Sequence, residues 1–323
     1  MTRVRGTTTV RGTSGSLLIL AVLAMLGIAA SGAARAEYPV SFNFFAGIPY
    51  ELADPGGSLP GSNDWNCKPS AAHPDPVVLV HGTAGGAQTN WGAYAPLLAN
   101  EGYCVFALTY GALDVPWPLS AMGGFRTIED SSAQLAAFVA RVRVATGALK
   151  VDLIAHSQGN IVGQYFIKRL GGSGQVDKFV AIAAPWLGTY GDNMATVRAF
   201  AARLGADTAT VDAAVSMGVC PACSEMLGGD PFMTALNADG VYDPTVAYTN
   251  LDTRYDELIV PYTIGLVPGP NVANFFMQDG CPIDYSDHLA IAGSHRGAMI
   301  ALNALDPEHP RPVPCEFVPP LTG

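Results

Sequence analysis

Short, continuous apolar runs recur along the chain and alternate with stretches whose apolar residues fall at helical spacing. The runs are rich in β-branched residues and lack polar alternation, which is typical of strands covered on both faces of a parallel sheet. The pattern predicts strands at residues 77–80, 104–109, 151–155, 179–183, 246–250 and 272–277. Helical patterns lie at about residues 91–100, 128–146, 160–170 and 296–305. This order predicts an α/β fold with a mostly parallel central sheet flanked by helices.

The first 36 residues follow a different pattern. Three arginines precede an apolar stretch at residues 17–30, and Ala34-Arg35-Ala36 follows as a small-x-small site. This order is typical of a secretory signal peptide, and the apolar stretch is shorter than the ~20 residues that span a bilayer. We predict a signal peptide at residues 1–36, cleavage before Glu37, and an extracellular product with one main domain at residues 37–323.

A long connection separates the strand at residues 179–183 from the strand at residues 246–250. Connections in compact domains are usually much shorter. This connection contains a helical pattern at residues 194–204 and then the local pair Cys220-Pro-Ala-Cys223. We predict a cap insertion at about residues 186–245, of the kind that covers or exposes a site. The alternative is a fixed excursion stapled by a small disulfide.

Charge and composition exclude some classes of partner. Charged residues make up 14% of the chain and hydrophobic residues 49%, a globular composition. Four of the 17 basic residues lie in the first 36 residues, which hold no acidic residue, so the formal charge of −10 becomes −14 after cleavage. Such a surface opposes binding to phosphate backbones. We expect no nucleic-acid partner and a monomeric protein.

All six cysteines lie beyond the predicted signal peptide, and an even number suits an oxidising compartment. Fifteen pairings are possible, but two of the cysteines form a tight local pair and the other four fall in two separate neighbourhoods. We predict the disulfides Cys67–Cys104, Cys220–Cys223 and Cys281–Cys315. A zinc or redox site at the local pair is a weaker interpretation, because no second ligand pair follows.

Residues Val151 to Gly159 read VDLIAHSQG, an apolar run that ends in a small-x-Ser-x-Gly turn and leads into a helical pattern. A serine at the tip of a tight strand-to-helix turn needs small neighbours two positions away, and Ala155 and Gly159 supply them. The motif predicts a nucleophile elbow with Ser157 at its tip. The alternative is an ordinary strand-to-helix junction with a capping serine.

A serine nucleophile needs a histidine base, and the base needs an acid that fixes its tautomer. The elbow fold places them in the order serine, acid, histidine, which excludes the histidines before the serine: His73, His81 and His156. Of the later ones, His309 lies in the proline-rich tail, whereas His288 follows the last strand and precedes the final helix. We predict His288 as the base and keep His295 as its rival.

The acid is expected in the loop after the strand at residues 246–250. Asp256 fits that place, whereas Asp252 is interpreted as a turn-forming or capping residue beside Arg254. Asp284 and Asp287 belong to the loop of His288 itself.

An oxyanion of a tetrahedral intermediate needs backbone donors, one after the serine and one after an early strand. Gln158 follows Ser157, and Val80-His81-Gly82-Thr83 ends the first strand. We therefore predict donors at Gln158 and Thr83. A phosphate-binding loop is excluded because the glycine-rich turn lacks the Gly-Lys-Ser/Thr ending.

With these residues in place, the chain resembles the secreted bacterial class 2 triacylglycerol lipases and esterases of the α/β-hydrolase superfamily. The resemblance covers most of the chain after residue 36 and rests on five segments: Pro76-Val-Val-Leu-Val-His-Gly-Thr83, Gly102-Tyr-Cys-Val-Phe-Ala-Leu-Thr-Tyr-Gly111, Ala155-His-Ser-Gln-Gly159, Thr253-Arg-Tyr-Asp-Glu257 and Asp287-His-Leu289. Where the family usually carries valine near Glu257, this chain has Leu258-Ile259.

The resemblance implies an α/β-hydrolase fold with the cap after its sixth strand, and a secreted serine esterase or lipase that cleaves small-molecule or lipid esters through an acyl-enzyme. It implies Ser157, Asp256 and His288 as the triad, favours the disulfide pairing given above, and calls for no cofactor or metal. Trp186 and Leu187, just past a strand end, are expected to line the substrate pocket. Two alternatives are an acyltransferase on the same triad and an inactive hydrolase fold used for binding.

Overall fold

The computed structural model describes residues 1–3, 6, 37–190, 198, 202, 205, 207, 209, 213 and 218–321. Nearly all of the predicted signal peptide and most of the predicted helix at residues 194–204 lie outside this part. Glu37–Gly323 forms one compact unit. None of the helices within the described ranges has the length and apolarity that a membrane crossing requires.

Six parallel strands form the central sheet, in the order β2-β1-β3-β4-β5-β6. Each predicted strand is present, with ends shifted by a few residues. The bounds are β1 Val77–Val80, β2 Val105–Leu108, β3 Val151–His156, β4 Val176–Ile182, β5 Ala247–Asp252 and β6 Val272–Phe276. The predicted fold class is confirmed.

Helices cover both faces of this sheet. The described helices are α1 Ile48–Ala53, α2 Tyr94–Asn100, α3 Ile128–Thr146, α4 Gln158–Arg169, α5 Pro221–Glu225, α6 Pro231–Leu236 and α7 His295–Leu305, with 3-10 turns at Phe44–Gly47, Leu119–Ala121, Tyr262–Gly265 and Ala290–Ala292. In α3, the Thr127 hydroxyl accepts the Asp130 N–H at the start, and Gly147 ends the helix with φ +81°. These caps explain why its bounds match the sequence pattern.

Strand β1 shows how the core is built. Val78 and Val80 pack in the layer of α3 and α4, whereas Val77 and Leu79 pack on the other side with α2 and α7. All four side chains are fully buried, and each contributes about 1.5–3 kcal/mol through the hydrophobic effect. A strand buried on both faces needs apolar residues at every position, which is the pattern that the sequence carries.

The order of the strands creates a crevice at one end of the sheet. The chain runs from β1 outward to β2 and then returns to β3 on the opposite side of β1. In open parallel sheets, sites form where the strand order reverses in this way, at the carboxyl ends of the strands. The loop after β1 and the turn after β3 therefore face each other across this crevice.

The long insertion lies between β4 and β5. It follows the fourth strand of this chain and not the sixth, because no strand longer than an isolated bridge precedes β1 in the described residues 37–76. Its described part contains α5 and α6. Glu225 of α5 accepts the Ile128 N–H at 2.7 Å, which anchors the insertion to the start of α3.

Three disulfides tie loops to this framework, with the predicted pairing. Their Cα–Cα distances are 5.8 Å for Cys67–Cys104, 5.3 Å for Cys220–Cys223 and 5.2 Å for Cys281–Cys315. The last bond fixes the proline-rich C-terminal segment to the loop after β6.

Candidate active site

Ser157 occupies the tip of the turn between β3 and α4. Its backbone has φ 53° and ψ −123°, a region that side-chain-bearing residues rarely adopt. The Ser157 N–H donates to the Ile182 carbonyl at 2.9 Å, and the Asn160 amide donates to the carbonyls of both Ser157 and Ile182 at 2.9 Å. These bonds hold the strained turn. Sequence reasoning missed Asn160, although an amide one helical turn after the serine is a visible signal.

The space around the elbow explains the small residues that the motif requires. A Cβ at Gly159 would lie 2.2 Å from the carbonyl oxygen of Val80 and 2.6 Å from that of His81. Both are backbone atoms of β1 and its following residue, which cannot move aside. Ala155 is fully buried in β3. The elbow therefore presses against β1 and holds Ser157 beside the loop that follows it.

The structure brings Ser157, His288 and Asp256 together. His288 Nε2 lies 2.9 Å from Ser157 Oγ, and His288 Nδ1 lies 2.8 Å from Asp256 Oδ2 and 3.0 Å from Oδ1. A carboxylate only accepts, so Nδ1 carries the proton and Nε2 presents its lone pair to the serine hydroxyl. Asp256 and His288 are both buried, so their interaction is strong.

Burial and the nearby negative charges shift the pKa of His288 in opposite directions. Burial alone would lower its pKa, but the charge of Asp256, its hydrogen bond, and the charges of Glu257 and Asp287 together raise the pKa above its ordinary value. A base with such a pKa readily takes a proton at neutral pH.

The backbone of His288 is also anchored. Its N–H donates to Glu257 Oε2 at 3.2 Å, and its carbonyl lies 3.0 Å from His156 Nε2. With Asp256 on the ring, His288 is held at three points. Sequence reasoning missed the contributions of Glu257 and His156.

Gln158 and Thr83 both lie next to Gly124. A Cβ at Gly124 would lie 2.4 Å from Gln158 Oε1 and 3.2 Å from the Cα of Thr83. The Gln158 N–H is at the first position of α4, where amides have no partner inside the helix. Gly82, next to Thr83, packs against Ser157, since a Cβ there would lie 3.0 Å from Ser157 Cβ. Both predicted donors therefore belong to the crevice that holds the serine.

Side-chain hydrogen bonds fix Gln158. Its Nε2 donates to the Gly124 carbonyl at 3.0 Å. The Tyr110 hydroxyl lies 3.3 Å from Gln158 Oε1 and donates its proton to the closer His81 carbonyl. Gly124 and Tyr110, both from the loop after β2, were missed by sequence reasoning because they lie far from the elbow along the chain.

The other five histidines are uncharged at neutral pH or contact partners other than Ser157. Burial lowers the pKa of His81 to about 4 and, together with His288, that of His156 to about 3. His295, the rival base, stacks on Phe42 and contacts Glu316, while His309 is exposed beside Asp306 and His73 stacks on Tyr103. The geometry favours His288.

The structure places Asp252 at the end of β5. Its Oδ1 does accept the Thr253 N–H at 2.9 Å, but the residue is fully buried at the end of β5. Arg254, two residues further on, pairs with Asp279 at 2.7 Å. Burial first, and then the charge of Asp256, raises the pKa of Asp252 well above its usual range.

The two residues expected to line the substrate pocket, Trp186 and Leu187, differ in burial. Trp186 is fully buried, and its Nε1 donates to Asn250 Oδ1 at 3.1 Å. It packs among Phe179, Tyr242 and Tyr248, so it fills the core and does not line an open pocket. Leu187 is 39% exposed.

One cluster of three carboxylates lies at the opposite end of the sheet, where Asp75, Asp152 and Asp177 approach one another. Lys150 and Lys178 lie 2.8 and 3.0 Å from Asp177. These cations neutralise much of the negative charge that a metal ion would need, and we assign no metal to the cluster.

A comparison with protein families finds a match over more than half of the chain. The model of the family Lipase (class 2) matches residues 74–290, which include the elbow, the acid and the histidine. The chain belongs to the class 2 lipase family. Its fold is that of the α/β-hydrolases.

Solved structures support the fold of this class 2 lipase family member. Aspergillus fumigatus lipase B matches with a TM-score of 0.56 at 18% identity, over 80% of this chain and 56% of that one. The chain thus spans little more than half the length of the Aspergillus lipase. Mature Bacillus licheniformis lipase BlEst2 matches with a TM-score of 0.53 at 16% identity, over 77% of this chain and 96% of that one.

Proposed function

We propose that this class 2 lipase family member is a secreted serine hydrolase that cleaves carboxylic esters, including acylglycerols, through an acyl-enzyme. One observation carries the proposal: the unbroken chain of contacts from Ser157 Oγ through His288 to Asp256, at 2.9 and 2.8 Å. Both distances are within hydrogen-bond reach of a nucleophile, its base and the group that orients the base.

In the first half-reaction, Ser157 Oγ attacks the ester carbonyl carbon while His288 Nε2 takes the hydroxyl proton. The carbonyl π electrons move to the oxygen, which becomes an oxyanion. When the tetrahedral intermediate collapses, the bond to the alcohol breaks and His288 gives its proton to the departing oxygen. In the second half-reaction, water attacks the acyl-enzyme by the same route, which releases the acid and restores Ser157.

Two groups of interactions lower the barrier. Asp256 stabilises the imidazolium that forms on His288, and the amides of Gln158 and Thr83 donate to the oxyanion. Each oxyanion donor of this kind is worth about 2.7–4 kcal/mol of transition-state stabilisation. The donors sit on a turn and a loop that pack against each other, so they need little reorganisation during the reaction.

The ester class follows from the family and from the site. The reaction needs a carbonyl group and an alcohol that leaves after protonation, and no described group of the site calls for a charged substrate. Secretion is supported by the three disulfides, which persist in oxidising compartments.

The test is hydrolysis of p-nitrophenyl esters from acetate to palmitate by purified protein beginning at Glu37, compared with Ser157→Ala. A fluorophosphonate probe should label the parent protein and not the variant. Absence of hydrolysis of every ester by folded protein, or full activity in Ser157→Ala, would refute the proposal. Initial rates above and below substrate solubility would then assign lipase or esterase behaviour.

A further inference from the structure

His156 lies at the end of β3, directly before Ser157, and its ring lies beside that of His288, with the ring centroids 5.0 Å apart. It is fully buried, and both ring nitrogens lie opposite oxygen atoms. Nε2 is 3.0 Å from the carbonyl oxygen of His288, and Nδ1 is 3.2 Å from Oδ1 of Asn90. The ring therefore stands between the loop that carries the proposed base and the side chain of Asn90.

Asn90 in turn contacts the loop that carries a proposed oxyanion donor. Its Oδ1 accepts the Gly82 N–H at 3.2 Å, and Gly82 directly precedes Thr83. A Cβ at Gly85 would lie 2.9 Å from the same oxygen. Asn90 is itself buried. One continuous set of contacts thus runs from the oxyanion loop through Asn90 and His156 to the backbone of His288.

His156 has two ring nitrogens near oxygen atoms, and the position of its single ring proton determines which contact is a hydrogen bond. Burial, with His288 as a smaller cause, lowers the pKa of His156 to about 3, so the ring carries one N–H at neutral pH. Asn90 Oδ1 already accepts from Gly82, whereas the His288 carbonyl accepts no other hydrogen bond from the described residues. Leaving that buried carbonyl without a donor is costly, which places the proton on Nε2.

We propose that His156 is a positioning residue whose Nε2–H donates to the His288 carbonyl and so holds the loop that carries the base. This inference rests on the proposed ester hydrolysis. The triad bonds fix the His288 ring, Glu257 fixes its N–H, and His156 fixes its carbonyl. Loss of the carbonyl anchor lets the ring drift from Ser157 Oγ, and drifts of about 1 Å cost ~10²-fold in rate.

Two substitutions separate the two sides of the ring. The amide nitrogen of glutamine reaches about as far as Nε2, whereas that of asparagine reaches about as far as Nδ1. We expect His156→Gln to keep kcat within about 3-fold and His156→Asn to lower it by about 10- to 100-fold, with KM nearly constant in both. The exposed His309→Gln should change neither. Rates are normalised to sites labelled by fluorophosphonate, so unfolded protein does not count.

Equal losses in the glutamine and asparagine variants, or a normal kcat per labelled site in His156→Asn, would overturn the positioning role. A second measurement does not depend on activity or on any variant. ¹⁵N shifts of labelled histidine in the parent protein should show His156 as the neutral Nε2–H tautomer at pH 7, and an Nδ1–H tautomer or an imidazolium would contradict the inference. If the parent protein neither hydrolyses esters nor takes the probe, the proposed function fails instead, and the tautomer still decides the hydrogen bond.

Discussion

Asp256→Asn is the sharpest test of the proposed triad, because the structure fixes how the new amide must lie. Asp256 Oδ1 accepts the N–H groups of Leu258 and Ile259 at 2.9 and 2.7 Å, and Oδ2 accepts the Nδ1 proton of His288 at 2.8 Å. The two backbone amides will retain the oxygen of the new side chain, so its NH₂ group will face His288. His288 must then carry its proton on Nε2, toward Ser157.

That tautomer cannot accept the serine proton. By analogy with the same replacement in chymotrypsin-like proteases, kcat should fall by about 10⁴-fold, which corresponds to ~5.4 kcal/mol of transition-state stabilisation. KM should change much less, because the substitution leaves the shape of the site intact. The assay is steady-state hydrolysis of a soluble p-nitrophenyl ester near pH 8, with fold checked by circular dichroism.

Asp252→Asn is the matched control. Asp252 is a neighbouring buried carboxyl, and burial and the charge of Asp256 raise its pKa well above the ordinary value. An amide resembles the uncharged form that burial favours, and kcat should fall by less than about 10-fold, since the substituted group does not contact His288. A kcat above about one tenth of normal in Asp256→Asn, or equal losses in the two variants, would refute the assigned roles.

Three further outcomes follow from the described geometry. Gly159→Ala should reduce both soluble yield and activity, because its Cβ would lie 2.2 Å from a β1 carbonyl oxygen; normal yield and rate would contradict the steric account. His288 is protonated at low pH and cannot then act as a base, and its pKa is raised above the ordinary value of 6.5. In a stopped-flow pH series, the acylation rate should therefore rise with pH through a midpoint above 6.5, and Asp256→Asn should lower that midpoint. Replacing Cys67 and Cys104 with serine removes a disulfide between residues 37 positions apart and should lower the free energy of unfolding in urea by about 2–4 kcal/mol. An unchanged midpoint of urea unfolding would show that this disulfide does not stabilise the fold.

Parts of the site that depend on neighbours along the chain could be predicted from the sequence. The elbow is such a part, because a serine between Ala155 and Gly159 after an apolar run has few other geometries. The order of serine, acid and histidine also restricted the base to three residues, and position in the fold then selected His288. The disulfide pairing followed from spacing alone, since each pair joins segments that are close along the chain or belong to one neighbourhood.

Other features could not be predicted because they depend on long-range packing. Trp186 is buried, and its indole N–H donates to Asn250, 64 residues away, whereas the sequence shows only an aromatic residue after a strand. The contact between His156 and the His288 carbonyl joins residues 132 apart. The sequence indicates an ordinary turn residue at Asp252, whereas the structure shows that this end of β5 is buried.

The sequence by itself determined the strands, the main helices, the fold class and the identity of the three residues proposed to react, because local periodicity and turn chemistry are written in adjacent positions. The tertiary structure alone decided how those residues are held: which carbonyl His156 reaches, which amides orient Asp256, and which buried carboxyl has a raised pKa. Such properties arise from burial and from contacts between loops that meet only when β1 and β3 lie side by side, so no segment of the chain contains them in isolation.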